Sequence, residues 1–491
     1  MRKREGFFMS DHMDYIIGSD IGTSSTKSIS LGIDGLVKCS FQQAYSTTHP
    51  QPGFSEQNPA IILRAVKDGI RQIVQQQGYA PAGICFSSAM HSLMPLDGAG
   101  NPLTPLIIWA DNRSQHYAET LRASALGEEI YHRTGTPVHA MSPLSKLIWL
   151  REEAPEIFGK AAIFLGIKEY VIRELFGQNL IDHSIASATG LFDIRTYQWN
   201  ATALATAGIG EEQLPVPVPA NYIIRGLKPA VAEELGIPAD TPFVIGGSDG
   251  CLAQLGSDAL DAGHATLTIG TSGAVRMAIP EVATDQQQRL FTYLLTDQVY
   301  VSGGASNNGG VLLQWLVKDF LRGTIPLEEL LPAALALPPD ALICLPYLLG
   351  ERAPIWDSGA SASFIGIRPH HGAEHFTRAV MEGISYALLS ITKALEETAG
   401  PIRKISVSGG FTQSHGWIQL MADIFGKEMT LDNRPDASAL GAIKLAAATL
   451  GIPLANGGEG EQQVFVPDGT HANHYQQQYE RFTSLYQLLR V

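Results

Sequence analysis

The chain has 491 residues, which predicts two to four domains at roughly 100–200 residues each. Asp and Glu total 48 against 34 Lys and Arg, a formal charge of −14. That excludes a nucleic-acid binder held by a basic face, and it leaves room for an anionic small molecule in a site with its own local field. Apolar residues make up 45% and charged residues 17%, so the chain is globular with large cores, not disordered. No apolar run approaches ~18 residues, so no membrane span is expected. Cys39, Cys85, Cys251 and Cys344 form no CxxC and are expected as free thiols in the cytoplasm. The first dozen residues lack the apolar core of a signal peptide. They read as a frayed start, with Met9 and Met13 as other starts.

Residues 14–20 read as a strand, followed by an Ile-Gly-Thr-Ser turn and a second strand in which Ile29, Leu31 and Ile33 alternate. Residues 58–77 read as a helix. Asn58 caps it, Pro59 suits its first turn, and Ile62, Val66, Ile70, Ile73 and Val74 form one stripe. Residues 84–90 read as a strand, and 207–221 as a Pro-rich surface excursion. Residues 266–278 repeat the opening unit: Ile-Gly-Thr-Ser at 21–24 recurs at 269–272. The two copies lie 248 residues apart, half the chain, which points to two related halves meeting near 246–265. A helix at 311–322, a strand at 341–346, a helix at 375–398, a strand at 404–410 and a helix from 415 complete an α/β pattern.

A Gly-Thr-Ser turn offers backbone N–H groups and hydroxyls to an anion. Asp20 beside the first turn can hold a hydrated Mg²⁺, and Lys27 can meet a phosphate. An ordinary hairpin turn has the same composition, but two copies in matched positions favour function. A P-loop is excluded because Thr26 stands where its glycine is required and a strand follows. Asp249, between glycines after a strand, suits a general base; a helix N-cap is the equally weighted alternative. The Gly-Gly turns at 309–310 and 409–410 let a flat ring approach the backbone. The loops 88–92 and 109–113 group His91, Trp109, Asp111 and Arg113. His371 and His375 flank Glu374, but without a third ligand they read as polar surface. Glycosidase carboxylate pairs and HExxH are missing, and no GxGxxG follows the first strand.

In this order the motifs resemble the FGGY carbohydrate kinases over residues 14–450. GSDIGTSSTK is similar to the family's first phosphate segment, and LTIGTSG and VSGGFTQS to its second phosphate and adenosine segments. MSPLSKLIWLREE (141–153) fits one family signature through Pro143, Lys146, Trp149, Glu152 and Glu153. ASFIGIRPHHGAEHFTRAVME (362–382) fits the other through Gly366, His375, Ala379 and Glu382. The resemblance implies two ribonuclease H-like, actin-like ATPase domains with a cleft between them. The sugar side would span 14–250, the nucleotide side 256–450, and a tail, 451–491, would pack on the second domain.

The resemblance further implies ATP-dependent phosphorylation of a sugar with Mg²⁺. Asp249 matches the family's base, and Asp20 and Asp249 its metal-side acids. Thr23, Ser24, Lys27, Gly270, Thr271, Gly310, Gln314, Gly409, Gly410 and Ser414 match its nucleotide side. Met90, His91, Trp109, Asp111, Arg113, Lys146, Asp249 and Gly250 match its sugar side. Within the family, 134–150, 246–256, 307–316 and 345–357 are most similar to gluconate kinases. A sugar acid wants a cation, and Arg113, Lys146, Lys168, His91 and His139 are the candidates. A neutral-sugar kinase such as a xylulose kinase, and a non-catalytic actin-like ATP sensor, are the rivals. A homodimer would match what is common among relatives.

Overall fold

Two β-sheets follow the same chain path. The computed structural model describes residues 14–431, 436–455 and 463–489. Met9 and Met13 lie outside the described residues. The first sheet opens as an antiparallel meander of β1 (Tyr15–Ile21), β2 (Ser25–Gly32) and β3 (Val37–Ala44). β4 (Gly83–Ser88) then pairs parallel with β1; β5 (Ile223–Ile224) forms the edge beside β6 (Phe243–Ser248), which pairs parallel with β4. The order is β5-β6-β4-β1-β2-β3. β4 is buried along its whole length, as a parallel strand covered on both faces must be.

The second sheet repeats this plan. β7 (His264–Ile269), β8 (Gly273–Ile279) and β10 (Val299–Ser306) form the meander, with β9 (Phe291–Thr296) added at the edge. β11 (Lys404–Ser408) pairs parallel with β7, β12 (Met429–Leu431) parallel with β11, and β13 (Gln463–Phe465) closes the far edge. The order is β9-β10-β8-β7-β11-β12-β13. Each half therefore sets three parallel strands beside an antiparallel ladder. These are two ribonuclease H-like domains of the actin-like type, with a cleft between them.

Helix α1 (Pro59–Gln77) starts where the sequence reading places it. Asn58 accepts from the Ala60 N–H, and Gly78 ends the helix at φ 82°. Its buried stripe lies on β2 and β3. The other helices used below are α2 (Pro143–Glu153), α3 (Asp249–Gly256), α4 (Ala373–Ala399), α5 (His415–Phe425), α6 (Ala437–Leu450) and α7 (Ala472–Leu489). α6 comes late in the chain yet packs on the first sheet, against β1, β4 and β6. It also crosses α3 at backbone contact. A Cβ on Gly256 would lie 1.8 Å from the Ala437 carbonyl oxygen, and one on Gly441 1.9 Å from that of Leu252. Only glycines allow this crossing, which joins the two halves.

Three local expectations change. The helix at 311–322 is a short α-helix, Gly310–Trp315, that widens into a π-helical turn over Leu316–Phe320. There the Leu321 N–H reaches back five residues to Leu316 while the Trp315 and Phe320 rings pack 5.7 Å apart. The 207–221 segment is not only a surface excursion. Val216–Val218 pairs with Leu180–Asp182 as a two-stranded parallel sheet, where Pro217 is tolerated because both strands are edges. His371 is not surface: its side chain is fully buried beside Asp340. All four cysteines are buried and free. In the second signature, Arg378 pairs with Glu382 at 2.6 Å and donates to the Tyr475 hydroxyl at 2.9 Å, which anchors α7.

Candidate active site

The first Gly-Thr-Ser turn is built by side chains. The indole N–H of Trp109 donates to Thr23 Oγ1 at 2.8 Å, and Gln57 Nε2 donates to the Thr23 carbonyl at 2.6 Å. The Tyr45 hydroxyl donates to the Gly22 carbonyl at 2.5 Å. Ser24 is exposed at the tip. Lys27 forms a 2.5 Å ion pair with Asp436, which precedes α6. The second turn is built by backbone. The N–H of Gly310 donates to the Gly270 carbonyl at 2.7 Å, and those of Gly309 and Val311 donate to the Thr271 carbonyl. Gly409 lies on its other side, where a Cβ would meet the Ile269 carbonyl oxygen at 2.4 Å. The fold thus gathers Gly270, Thr271, Gly310, Gly409 and Gly410 from three segments, with Gly270, Thr271, Gln314 and Gly410 exposed. Ser414 caps α5 by accepting from the Trp417 N–H.

Asp20 and Asp249 end β1 and follow β6. Asp20 accepts from Ser87 Oγ at 2.6 Å and from Ser438 Oγ, on α6, at 2.9 Å. Burial pushes its carboxyl above the usual range, and the two hydroxyls pull it back. The N-cap alternative for Asp249 does not hold. Ser248 is the cap, accepting from the Cys251 N–H, and Asp249 stands in the first turn, where its Oδ1 accepts from the Gly250 N–H at 2.6 Å. Burial first, and then the charge of Asp20, push the Asp249 carboxyl up to about 6, against the pull of Arg276. Two hard carboxylates that repel each other fit a divalent cation. Each oxygen of Asp20 keeps one lone pair after its serine bond.

The residues expected on the sugar side fall into two layers. Met90, His91 and Trp109 form one layer. His91 Nδ1 faces the Ala188 carbonyl at 2.8 Å, so the other ring nitrogen carries the lone pair. Burial and the neighbouring Lys146 push His91 down to about 3, and burial and Arg352 do the same to His139, so both rings are neutral. Asp111, Arg113 and Lys146 brace this layer from behind. Asp111 is fully buried, accepts from the Ser55 N–H, and pairs with Arg113. Arg113 also pairs with Glu56 and lies 3.8 Å over the Phe54 ring. Lys146 donates to the carbonyls of His91 and Ile108, and burial pushes it down to about 7. Lys168 is buried in an ion pair with Asp182. Arg113 and Lys168 are therefore already neutralised and do not offer a charge to a ligand.

Three polar groups that sequence reasoning passed over cluster near this site, one against Gly250 and the other two around it. They are Arg276 on β8, Tyr293 on β9 and Arg352 in a loop. Of these, only Arg352 falls in a stretch that the sequence singles out, 345–357, and there only by its resemblance to gluconate kinases. Elsewhere, Asp340, His370 and His371 cluster closely enough to suggest a metal site. The tautomer argues against it. His371 Nδ1 accepts from the Arg368 N–H at 3.1 Å, so Nε2 carries the proton and points to Asp340 instead of offering a lone pair.

The N-terminal domain of the FGGY family of carbohydrate kinases matches residues 15–256, and its C-terminal domain matches 265–450. A gluconokinase of Bacillus subtilis (strain 168) is 41% identical over 450 residues, 89% of this chain and 88% of its own. A xylulose kinase of Staphylococcus epidermidis (strain RP62A) is 30% identical over 486 residues, 96% of each. Two solved structures from Lactobacillus acidophilus, a ligand-bound xylulose kinase and a gluconate kinase, each superpose with a TM-score of 0.92 at 33% identity. Each match covers 97% of this chain and 98% of theirs. Backbone similarity therefore does not separate the two sugars. Among the described residues no helix is long and apolar enough to cross a membrane.

Proposed function

The chain belongs to the FGGY family of carbohydrate kinases, and on that premise we propose that it phosphorylates D-gluconate to 6-phosphogluconate. ATP is the donor and Mg²⁺ the metal. The observation that carries the choice of sugar is the 41% identity to a gluconokinase against 30% to a xylulose kinase. In this reading residues 14–250 are the sugar-side domain, 256–450 the nucleotide-side domain, and 451–491 the tail. The enzyme works in the cytoplasm on a small molecule, as a homodimer.

Asp249 is the general base. Its carboxylate takes the proton of the C6 hydroxyl as that oxygen bonds to the γ-phosphorus and the bond to ADP breaks. With one oxygen held by the Gly250 N–H and a pKa near 6, the carboxylate is ionised at neutral pH yet basic enough to accept the proton. Asp20 and Asp249 would hold Mg²⁺, which when bound neutralises phosphate charge. Thr23, Ser24 and Lys27 on one turn and Gly270 and Thr271 on the other face the phosphates. Gly310, Gln314, Gly409, Gly410 and Ser414 face the nucleoside. Met90, His91, Trp109 and Gly250 face the sugar, while Asp111, Arg113 and Lys146 hold that wall in place. Closure of the two halves excludes water, which would otherwise compete with the sugar hydroxyl.

The test is coupled ADP release with Mg·ATP and gluconate, xylulose, ribulose, fuculose, glycerol or no sugar. Signal with gluconate alone supports the reading. Signal with a neutral sugar instead overturns the choice of substrate. Sugar-independent hydrolysis would favour an actin-like ATP sensor that phosphorylates no small molecule.

A further inference from the structure

The substrate proposed above carries a carboxylate, and the cations first considered for it are spent. Arg113 and Lys168 are ion-paired, Lys146 donates to two carbonyls, and the rings of His91 and His139 are neutral. A different set of donors is unspent. Arg276 Nε, Arg352 Nε and the Tyr293 hydroxyl are all buried and meet no hydrogen-bond partner among the described residues. They come from three separate segments and share one neighbourhood, since Tyr293 feels both guanidinium groups and Arg352 feels Arg276. Asp249 beside Arg276 and Glu351 beside Arg352 offset part of the charge, but two buried Nε–H groups and a buried phenol without acceptors still cost free energy unless an anion joins them.

Their position fits the ligand. Arg276 lies directly against the backbone that follows Asp249: a Cβ on Gly250 would meet its Nε at 2.9 Å and its Cζ at 3.3 Å. Gly250 thus makes room for a guanidinium beside the base. Arg352 lies farther along the sugar side, 4.9 Å from the Trp109 ring, with one Nη donating to the Ser306 carbonyl at 3.2 Å. The Tyr293 ring stands 5.9 Å from His91. A chain with a hydroxyl at one end and a carboxylate at the other can therefore reach the base and the cations together.

We propose that Arg276, Arg352 and Tyr293 bind the carboxylate of a sugar acid, and that Arg276 with Gly250 sets the preference for acids over neutral sugars. The inference rests on the gluconate reading. A carboxylate fits the set because a guanidinium presents paired donors to it and a phenol adds a third.

The experiment compares wild type, Arg276→Gln and Tyr293→Phe by calorimetry with gluconate and with glucitol, the same carbon skeleton without the carboxylate. Steady-state rates with gluconate and with xylulose, and a thermal melt, accompany it. Arg276→Gln should weaken gluconate roughly 10- to 150-fold, the range for a lost hydrogen bond to a charged group. Glucitol binding should be unchanged, and so the preference for the acid should collapse. Tyr293→Phe should give the same pattern, smaller. Equal losses for gluconate and glucitol, or equal rate losses on both sugars, in a folded variant would overturn the carboxylate role and leave the gluconate reading standing. A wild type that neither binds nor phosphorylates gluconate would overturn the reading itself, and this inference with it.

Discussion

The two Ile-Gly-Thr-Ser hairpins share a sequence and differ in almost everything around it. The first closes on the Ile21–Thr26 pair and the second on Ile269–Gly273, one residue shorter. In the first, Asp20 stands across from Lys27; in the second, Thr268 stands across from Ala274. Trp109, Gln57 and Tyr45 hold the first turn, whereas backbone from 309–311 holds the second. A duplicated scaffold has thus divided its labour. The first half carries Asp20, Asp249 and the layer of Met90, His91 and Trp109. The second carries an exposed turn held by backbone and, on β8, Arg276, which lies against Gly250 beside Asp249.

The sharpest way to break this division is at its acids. Asp249→Asn should keep the fold and lose at least ~100-fold in turnover. In wild type, kcat/KM for gluconate should fall as pH drops through about 6, because the base is inactive when protonated. The same raised pKa means that ionising Asp249 costs the folded state. Wild-type stability should decline between pH 4 and 6 relative to Asp249→Asn, visible as a widening gap in Tm. Equal pH–stability profiles would contradict the burial of this charge.

Next in size is the joint between the halves. Gly441→Ala forces a methyl against the Leu252 carbonyl, and urea unfolding should show a loss of roughly 1–3 kcal/mol. The turns themselves come third. Thr23→Val removes the acceptor of Trp109 and should cost ~1 kcal/mol, weakening both sugar and ATP. Thr271→Val, on an exposed turn, should leave Tm unchanged and raise KM for ATP far more than for sugar. Matching effects of the two substitutions would dissolve the distinction. Smallest is Lys27→Met. The Lys27–Asp436 pair is about a quarter exposed on each side, so its loss should cost no more than ~1 kcal/mol in unfolding free energy.

What the sequence shows, and what it hides, follows the range of each interaction. The hairpins, the Asn58 cap and the Gly-Gly turns depend on neighbours a few residues away, and they stand where expected. The neutralised state of Arg113 and Lys168 depends on Glu56 and Asp182, whose approach is set by the fold. Arg276 reads as an ordinary strand residue, because the cue to its position is the missing Cβ of Gly250 in another segment. Gly441 likewise passes for a small residue in an apolar helix until α3 is laid across it. Asp249 and the two Gly-Thr-Ser turns were legible as candidates, because each is marked by residues adjacent in the chain. The cluster of Arg276, Tyr293 and Arg352 was not legible, because its members are contributed by β8, β9 and a loop.

The most direct test of the central claim is ³¹P NMR of a reaction containing the enzyme, Mg·ATP and gluconate. A new phosphomonoester signal coupled to the two C6 protons, formed with ADP and lacking in the Asp249→Asn reaction, is the predicted result. No new ester, or one on a secondary carbon, would contradict it.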